Sequence, residues 1–371
     1  MTIAPFSAAS ITASDLADRL TPGEALTVLD VRDDASWAIE APGVTTRRVP
    51  AAAVLADPAA TARDLAGPVA VVCKRGVMAQ SVSHALRAEG VDATVLEGGM
   101  RDWIAALQSR PVNLGIRGLD VLQVQRPGRG CHYYVIASDA RALVVDPAPD
   151  ADVYVALAAE LGATITDIVD THLHADHLSG ARALAALTGA TLRLPAAAIE
   201  RGVAYAVTAL HDDDTIMLGD VTIRAVSLPG HTTDMTGLFV ADRALVSGDS
   251  LFADGIARPD LQQGDPEGAR AMGRMLYTTL RNRVLTLADD VVLLPGHTHP
   301  GIHRAAIAPT LAAVRAAVPE LAIDDPALFA EALLAEMPPR PANYEAVIAV
   351  NAGTHPFDPE LETGGNSCST R

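Results

Sequence analysis

The segment "DTHLHADHLSG", residues 170–180, constrains the fold of this 371-residue chain more than any other stretch. It follows "ATITDIV", a β-branched run that predicts a buried strand, and it leads into "LSGARALAALTG", which predicts a helix ending at Gly189. Its ligand-type residues are His172, His174, Asp176 and His177. The first two histidines are two positions apart, so in extended backbone both side chains point the same way. We therefore expect a loop at a strand end whose polar side chains face a common point.

Ligand-type residues also follow three later apolar runs. They are His231 in "AVSLPGHTT", Asp249 in "ALVSGDS" and His297 in "VVLLPGHTH". The Pro-Gly before each histidine supplies the turn that ends a strand. Chance does not place so many ligand-type residues at four strand ends. Histidine, aspartate and water suit zinc, iron or manganese. The set contains no cysteine thiolate, which a structural zinc-cysteine site would need. The pattern predicts an open metal centre of the catalytic type.

Cys73 lies in "VAVVCKRGVMAQSVSHAL", at the end of an apolar strand and just before a helix. Loop amides and the helix dipole favour a thiolate at such a position, and Lys74 and Arg75 add positive charge. Lys74 is the only lysine in the chain. The alternative is that Cys73 is a small hydrophobe that caps a strand. The spacing alone leaves both interpretations open.

The chain is acidic, with a formal net charge of −17 and a pI near 4.9. Such a surface repels nucleic acid and anionic membranes, so an anionic substrate must be met by local arginines. The N-terminal sequence has no basic segment followed by an apolar run, and no stretch approaches the roughly 20 apolar residues of a membrane span. We therefore expect a cytoplasmic protein. The other two cysteines, Cys131 in a strand pattern and Cys368 near the C-terminus, are expected to have packing and non-catalytic roles.

The order of apolar runs predicts α/β architecture in two domains. Residues 1–110 alternate short apolar runs with helical patterns, which is typical of a small α/β unit with a parallel sheet. After "QSRPVNLGIRG" the pattern changes to paired strands and then alternates again, so a second domain with C-terminal helices is expected over residues 111–345. Residues 346–371 have turn formers without periodicity and are expected to be disordered.

The motifs "THLHADH", "PGH", "GD" and the second "PGH" match, in order and spacing, the metallo-β-lactamase fold over roughly residues 115–300. The resemblance implies an αββα sandwich with its metals at one edge of two sheets. That superfamily includes zinc hydrolases, flavo-di-iron proteins and mononuclear-iron persulfide dioxygenases. It therefore indicates the fold better than the reaction.

The stretch "GDSLFADGIARPDLQQGD" resembles the persulfide dioxygenases, in which an Arg-x-Asp-x-Gln-Gln-Gly run follows the metal-binding Gly-Asp. The resemblance implies one iron held by His172, His231 and Asp249. Two histidines and one carboxylate leave coordination positions open for substrate sulfur and dioxygen.

The Arg-x-Asp-x-Gln run itself predicts substrate contacts. Because an acidic protein needs a local cation to hold an anion, we expect Arg258 near the metal, facing a carboxylate-bearing thiol such as glutathione. Asp260 and Gln262 are expected to contact the ligands or the substrate.

A dinuclear zinc site of the glyoxalase II kind is the alternative. The residues that would complete it are His174, Asp176, His177 and His297, and Asp176 is also a candidate catalytic residue. Such a site would hydrolyse glutathione thioesters with metal hydroxide and need no oxygen. The stretch "PGHTHPG" lacks the His-Glu-Tyr-Thr continuation of glyoxalase II and also departs from the His-Asp-Tyr common in persulfide dioxygenases. The sequence therefore leaves open whether the bound metal is iron or zinc.

The first domain resembles a single rhodanese domain through "LDVRDDASW", "CKRGVMA" and "VLEGGMRDW", over roughly residues 10–108. The resemblance implies that Cys73 carries sulfane sulfur as a persulfide, with Lys74, Arg75 and Gly76 of its loop around the substrate. Met78 stands where many rhodanese loops have arginine. A non-catalytic sulfur-binding or partner-docking module therefore stays open.

Together these features predict a sulfur-handling enzyme. Cys73 would accept sulfane sulfur from thiosulfate or a persulfide and pass it to a small thiol such as glutathione. The iron domain would oxidise the resulting persulfide to sulfite with dioxygen. The expected partners are small thiols or persulfides and dioxygen, without nucleic acid or membrane, and a homodimer stays open as the assembly.

Overall fold

The structure, a computed structural model, describes residues 9–20, 26–33, 38–39, 44–335 and 337–363. The chain forms two compact units. The first unit comprises Met1–Gln108, Gln125–Gly130 and His299–Arg304, and the second comprises Ser109–Val124, Cys131–Thr298 and Ala305–Arg371. The first unit thus combines the chain up to Gln108 with two short later segments.

The first unit contains a five-stranded sheet in the order β1-β5-β4-β2-β3, and all its neighbouring strands are parallel. Its strands are β1 (Ser10–Ile11), β2 (Thr27–Asp30), β3 (Thr45–Arg48), β4 (Val69–Val72) and β5 (Ala93–Leu96). Its helices are α1 (Ala13–Arg19), α2 (Ala51–Ala56), α3 (Pro58–Arg63), α4 (Val77–Ala88) and α5 (Met100–Ala105). The prediction of a small α/β unit with a parallel sheet is confirmed.

Strand β4 shows why the sequence here is continuously apolar. Ala70 and Val72 join one buried cluster and Val69 and Val71 join another, because successive side chains of a strand point to opposite faces. Helices cover both faces, so both must be apolar. Cys73 therefore follows directly after a strand whose four residues are all buried.

The second unit contains the remaining elements, although Gln108, Gln125 and Arg126, at the ends of two of its strands, belong to the first. Its strands are β6 (Gln108–Val112), β7 (Leu119–Arg126), β8 (Cys131–Ser138), β9 (Arg141–Val145), β10 (Thr164–Val169), β11 (Thr191–Pro195), β12 (Thr208–Leu210), β13 (Thr215–Leu218), β14 (Val221–Ser227), β15 (Thr236–Val240), β16 (Ala244–Gly248) and β17 (Val292–Pro295). Its α-helices are α6 (Ala151–Glu160), α7 (Ala181–Thr188), α8 (Ala196–Glu200), α9 (Pro266–Thr279), α10 (Leu311–Ala317), α11 (Pro326–Ala335) and α12 (Tyr344–Asn351). A π-helix spans Leu280–Val284, and 3₁₀-helices span Pro319–Ala322 and Pro359–Thr363.

These strands form two sheets that pack face to face. One has the order β12-β11-β10-β9-β8-β7-β6 and the other the order β13-β14-β15-β16-β17. Leu143 and Val145 of the first sheet and Leu238 and Val246 of the second belong to one buried cluster between them. The outer face of the second sheet packs against α9, α10 and α11, and α6 and α7 contact β10 of the first. The result is the expected αββα sandwich.

Strand directions bring the ligand-bearing loops to one edge of each sheet. β9 and β10 are parallel, so the residues that follow them leave the first sheet at the same edge. β14 and β16 both run antiparallel to β15, and β17 is parallel to β16, so their carboxyl ends also share an edge. The predicted helix after the histidine-rich loop ends at Gly189 in the left-handed conformation, as expected.

The C-terminal region corrects one expectation. Residues 346–371 were expected to be disordered, yet α12 and the last 3₁₀-helix are ordered elements within 344–363. Val347 and Val350 are buried against Leu178, and this tertiary contact is not visible as local periodicity. Residues 364–371, including Cys368, lie outside the described residues. Among the described helices, none has the length and apolar character needed to cross a bilayer.

Candidate metal centre and thiol site

Three side chains from three strand ends meet in the second unit: His172 after β10, His231 after β14 and Asp249 after β16. Nε2 of His172 lies 3.9 Å, and Nε2 of His231 lies 3.7 Å, from Oδ2 of Asp249. All three residues are at most 1% exposed, and these three atoms have no hydrogen-bond partner among the described residues. A buried polar atom without a partner costs about 1–3 kcal/mol, and three such atoms converging on one point fit a metal ion.

The other atoms of the two histidines fix their orientation. Nδ1 of His231 donates to the backbone oxygen of Arg258 at 2.7 Å, and Nδ1 of His172 lies 3.0 Å from Oγ1 of Thr171. Since a carbonyl oxygen only accepts, Nδ1 of His231 carries the proton and Nε2 keeps its lone pair. Such outer contacts set the tautomer and ring orientation of a metal ligand.

Asp146, directly after β9, anchors the histidine-rich loop. Its carboxylate accepts from the backbone amide of Thr171 at 2.6 Å and from Oγ1 of Thr171 at 2.9 Å, and it lies 3.1 Å from Nε2 of His174. Burial lowers the pKa of His174, but the charge and hydrogen bond of Asp146 outweigh it and raise the pKa to about 10. Asp146 in "LVVDP" carries the same strand-end signal as the other ligand-type residues, and that signal could have identified it from the sequence.

A second cluster adjoins the first and contains Cys131, Asp176, His177 and His297. Nδ1 of His297 lies 2.7 Å from Oδ1 of Asp249, and its Nε2 lies 2.9 Å from Oδ2 of Asp176. Nδ1 of His177 lies 3.0 Å from both Asp176 oxygens. Both nitrogens of His297 therefore face carboxylates, and a second metal would have to displace at least one of these contacts.

Cys131 is placed differently from the expectation of simple packing. It is fully buried at the start of β8, and its Sγ lies 3.8 Å from Oδ2 of Asp176. The signal that could have found it is topological. β8 is antiparallel to β9, so the start of β8 lies at the edge where β9 ends at Asp146.

The pKa shifts divide the histidines into two groups. Burial lowers the pKa of His172 and of His231, which leaves both rings neutral, the form that binds metal. Burial acts in the same direction on His297, but Asp249, Cys131 and Asp176 outweigh it and raise its pKa well above the usual range. His297 is therefore suited to donate to both carboxylates.

Arg258, expected near the metal, lies beside the His231 loop with its charge met inside the fold by Asp260. Its side chain is fully buried, and Nε and Nη2 donate to the two oxygens of Asp260 at 2.7 and 3.0 Å. Nη2 also donates to the backbone oxygen of Pro338 at 2.8 Å, and Arg340 donates to Asp260 at 3.0 Å. The positive charge of the guanidinium is thus balanced by Asp260 inside the fold. Arg258 supports the site through its backbone carbonyl, which accepts from Nδ1 of His231.

Gln262 is likewise bonded within the protein. Its Oε1 accepts from the backbone amide of Thr233 at 2.6 Å, and its Nε2 donates to Oγ1 of Thr233 at 2.9 Å. Thr233 follows His231 by two residues. The run "ARPDLQQ" therefore fastens the loop that presents His231, rather than standing free as a surface loop.

The thiol site of the first unit comes from one loop. Cys73, directly after β4, is 6% exposed, and its Sγ accepts from the backbone amide of Ala79 in the first turn of α4 at 3.4 Å. The backbone oxygen of Cys73 accepts from Met100 at 2.9 Å. A Cβ on Gly99 would lie 2.1 Å from that oxygen, so only glycine fits there.

A cavity of about 920 Å³ opens beside Cys73. Lys74 and Arg75 line it and are exposed, while Gly76 turns the loop with a φ of +78°. Its apolar lining includes Leu55, Val77 and Met78, which are 41%, 72% and 51% exposed. The entrance to the thiol thus combines three cationic side chains, those of Arg32, Lys74 and Arg75, with the carboxylate of Asp33 and an apolar rim.

Comparison with known proteins decides the family of each unit. Residues 12–106 match the rhodanese-like domain, and residues 126–297 match the metallo-beta-lactamase superfamily. The chain joins a rhodanese-like domain to a metallo-β-lactamase domain. The fold predicted for each unit is therefore confirmed.

The metallo-β-lactamase domain is similar to proteins with two different activities. It is 35% identical to a hydroxyacylglutathione hydrolase of Rhodopseudomonas palustris (strain BisB18) over 45% of this chain and 62% of the relative. It is 29% identical to the mitochondrial persulfide dioxygenase ETHE1 of Bos taurus over 47% of this chain and 66% of the relative. The chain thus spans less than two thirds of the length of these curated relatives. The crystal structure of ETHE1 from Myxococcus xanthus superposes with a TM-score of 0.54 at 26% identity, covering 63% of this chain and 98% of that one.

Proposed function

We propose that the metallo-β-lactamase domain is a persulfide dioxygenase that holds one iron through His172, His231 and Asp249. One observation carries this proposal. Within the part of the chain that the structure describes, the donor atoms of these three residues converge without hydrogen-bond partners, whereas His297 of the second cluster has both ring nitrogens against carboxylates. These contacts favour one metal at the triad, because a metal in the neighbouring cluster would have to replace at least one contact of His297.

The donor set fits mononuclear iron. Two imidazoles and one carboxylate with open coordination positions are typical of non-haem Fe(II) oxygenases. Iron bound there would supply the redox chemistry with dioxygen. The overall reaction balances: one persulfide, one dioxygen and one water give one thiol, one sulfite and two protons. The terminal sulfur loses four electrons and dioxygen gains them.

The residues of the chain orient the donors and exclude water. The carbonyl of Arg258 and the hydroxyl of Thr171 fix the two histidine rings, while His297 holds the second oxygen of Asp249. Because these residues are almost fully buried, their mutual contacts persist without competition from solvent. The substrate class that we propose is a glutathione-type persulfide.

The rhodanese-like domain would supply that persulfide. The Cys73 thiolate attacks the outer sulfur of thiosulfate or the terminal sulfur of a persulfide, the sulfur–sulfur bond breaks, and sulfite or a thiol leaves. A second thiol then attacks the outer sulfur of the Cys73 persulfide, which forms a new persulfide and regenerates the thiolate. The amide of Ala79 and the charges of Lys74 and Arg75 support the anionic forms in both steps.

A second candidate is a dinuclear zinc hydrolase of glutathione thioesters. Nδ1 of His174 and Nε2 of His177 are also buried without hydrogen-bond partners, and one relative is a hydroxyacylglutathione hydrolase. Two bound zinc ions would generate a hydroxide suited to hydrolysis. In this candidate a metal would replace the hydrogen bond between His297 and Asp176, whose donor atoms already lie close to those of Cys131 and His177.

Oxygen uptake separates the two candidates. Full-length protein is given glutathione persulfide in an oxygen electrode and, in a separate anaerobic assay, S-lactoylglutathione. We expect persulfide-dependent uptake that Asp249→Ala abolishes and that Asp220→Ala, a change on an exposed turn, leaves intact. Rapid anaerobic thioester cleavage without oxygen uptake would replace the dioxygenase by the hydrolase.

A further inference from the structure

The C-terminal segment covers the back of the metal loop, residues 170–180. The ligand-type side chains of the loop alternate with apolar ones that belong to other clusters. Leu173 packs with Ala352, Ala175 packs with Tyr344 and Ile348, and Leu178 packs with Val347, Val350 and Leu361. One face of the loop therefore carries the donors, and the other is buried against α12 and the residues after it.

Asn351, the last residue of α12, makes three hydrogen bonds to this loop. Its Nδ2 donates to the backbone oxygen of His174 at 3.0 Å and to that of His177 at 2.9 Å. Its Oδ1 accepts from the backbone amide of Ser179 at 2.9 Å. The side-chain amide has two N–H donors, and both are used. In the reversed amide orientation, Oδ1 would face the carbonyl oxygens of His174 and His177, and Nδ2 would face the amide N–H of Ser179.

The loop needs these contacts because it lies between regular elements. Residues 171–178 are buried but belong to neither a helix nor a strand, so their backbone groups need partners from elsewhere. Glu362 adds one, since its Oε1 accepts from the backbone amide of Leu178 at 2.5 Å. The C-terminal segment thus completes the hydrogen bonding of a loop almost 180 positions away in sequence.

We propose that Asn351 is a positioning residue of the metal centre. It fixes the backbone on both sides of Ala175 and Asp176, and thereby the loop that presents His172, two residues before His174, together with His174 and His177 themselves. α12 lies beyond residues 126–297, which match the metallo-beta-lactamase superfamily, yet it belongs to the scaffold of the centre. The inference concerns metal binding by the loop and holds for either candidate reaction.

The test uses metal-free full-length protein titrated with Co(II), whose visible bands report ligand geometry. Asn351→Asp keeps the size of the side chain but removes both donors, and Asn351→Leu removes them without adding charge. We expect each to weaken Co(II) binding at least tenfold, about 1.4 kcal/mol, to alter the bands, and to reduce the rise in melting temperature that Co(II) causes. Asn343→Ala is the matched control, because Asn343 bonds Leu361 of the same segment and not the loop.

A purely structural role gives a different result. In that case both Asn351 variants would lower the melting temperature of the metal-free protein, while the Co(II) affinity, the bands and the metal-induced rise would match the wild type. That result, in whichever of the two variants folds, would overturn the proposal. Absence of oxygen uptake in wild-type protein, with the Co(II) effects as expected, would contradict only the dioxygenase and leave the role of Asn351 standing.

Discussion

The thiol site of the first unit is built from one loop, whereas the metal site of the second is built from strand ends between residues 131 and 297. Cys73 needs only the first turn of α4 and the close approach of Gly99. His231 and Asp249 each depend on a buried partner from another part of the chain, and His172 depends on its neighbour Thr171, which Asp146 holds in turn. We therefore expect the thiol site to tolerate substitutions outside its loop, and the metal site to respond to substitutions far from the metal.

The largest effect is expected from removing a triad ligand. His172→Ala or Asp249→Ala should lose most of the bound metal together with all oxygen uptake, because each supplies one of the three converging donor atoms. Inductively coupled plasma mass spectrometry of purified protein measures the metal. Cys73→Ala is the control and should keep the wild-type metal content. Full metal retention in both ligand variants would break the assignment of the triad.

The reciprocal change tests whether the two sites are independent. Cys73→Ala should abolish thiosulfate:thiol sulfurtransferase activity, because no other described cysteine lies in the loop at the start of α4. Oxygen uptake with added glutathione persulfide should continue, since that substrate bypasses the first unit. A thiocyanate or persulfide assay measures the transfer. Transfer that survives the substitution would remove Cys73 from the proposed function.

The Arg258→Ala variant tests how strongly the stability of the fold depends on a buried residue that supports the metal site. Arg258→Ala leaves the buried Asp260 without its main partner and should lower the free energy of unfolding by about 3 kcal/mol, measured by urea denaturation. The exposed pair of Arg243 with Asp290 offers a control, and Arg243→Ala should cost at most about 1 kcal/mol. Unchanged stability with a raised KM for persulfide would instead return Arg258 to a role in substrate binding.

The smallest expected effect is the loss on acidification of the free energy of unfolding that the Arg258–Asp260 pair contributes. Burial raises the pKa of Asp260, but the hydrogen bonds and charges of Arg258 and Arg340 outweigh it and lower the pKa. On acidification the unfolded chain therefore takes up this proton before the folded protein does. The stabilisation from Asp260 is present above its ordinary pKa of about 4 and is lost as pH falls through the lower folded value.

Asp260→Asn removes that dependence. The wild type should lose more of its free energy of unfolding between neutral and acidic pH than the variant does. Urea denaturation at a series of pH values measures both profiles. Parallel profiles would mean that Asp260 does not gain its stability from the two arginines.

The sequence predicted whatever depends on local pattern. The proposed ligands His172, His231 and Asp249 follow recognisable strands, and Cys73 lies at a strand-to-helix junction, so their positions could be inferred without tertiary information. The burial of Arg258 could not, because its partners include the backbone oxygen of Pro338, 80 positions away.

Other residues were missed for the same physical reason. Cys131 reaches the second cluster only through the antiparallel pairing of β8 with β9. Asn351 and Glu362 reach the metal loop only after α12 packs on Leu178, and no periodicity in the C-terminal sequence indicates that contact. Non-local pairings of this kind decide which polar residues become buried.

Metal analysis of full-length protein purified without added metal tests the central claim most directly. The claim is that one metal position is ready and that His297 closes the neighbouring one. We expect one iron per chain in the wild type, and we expect His297→Ala to keep much of that iron because its ring is not one of the three converging donors. Two zinc ions per chain, lost together when His297 is replaced, would contradict the account.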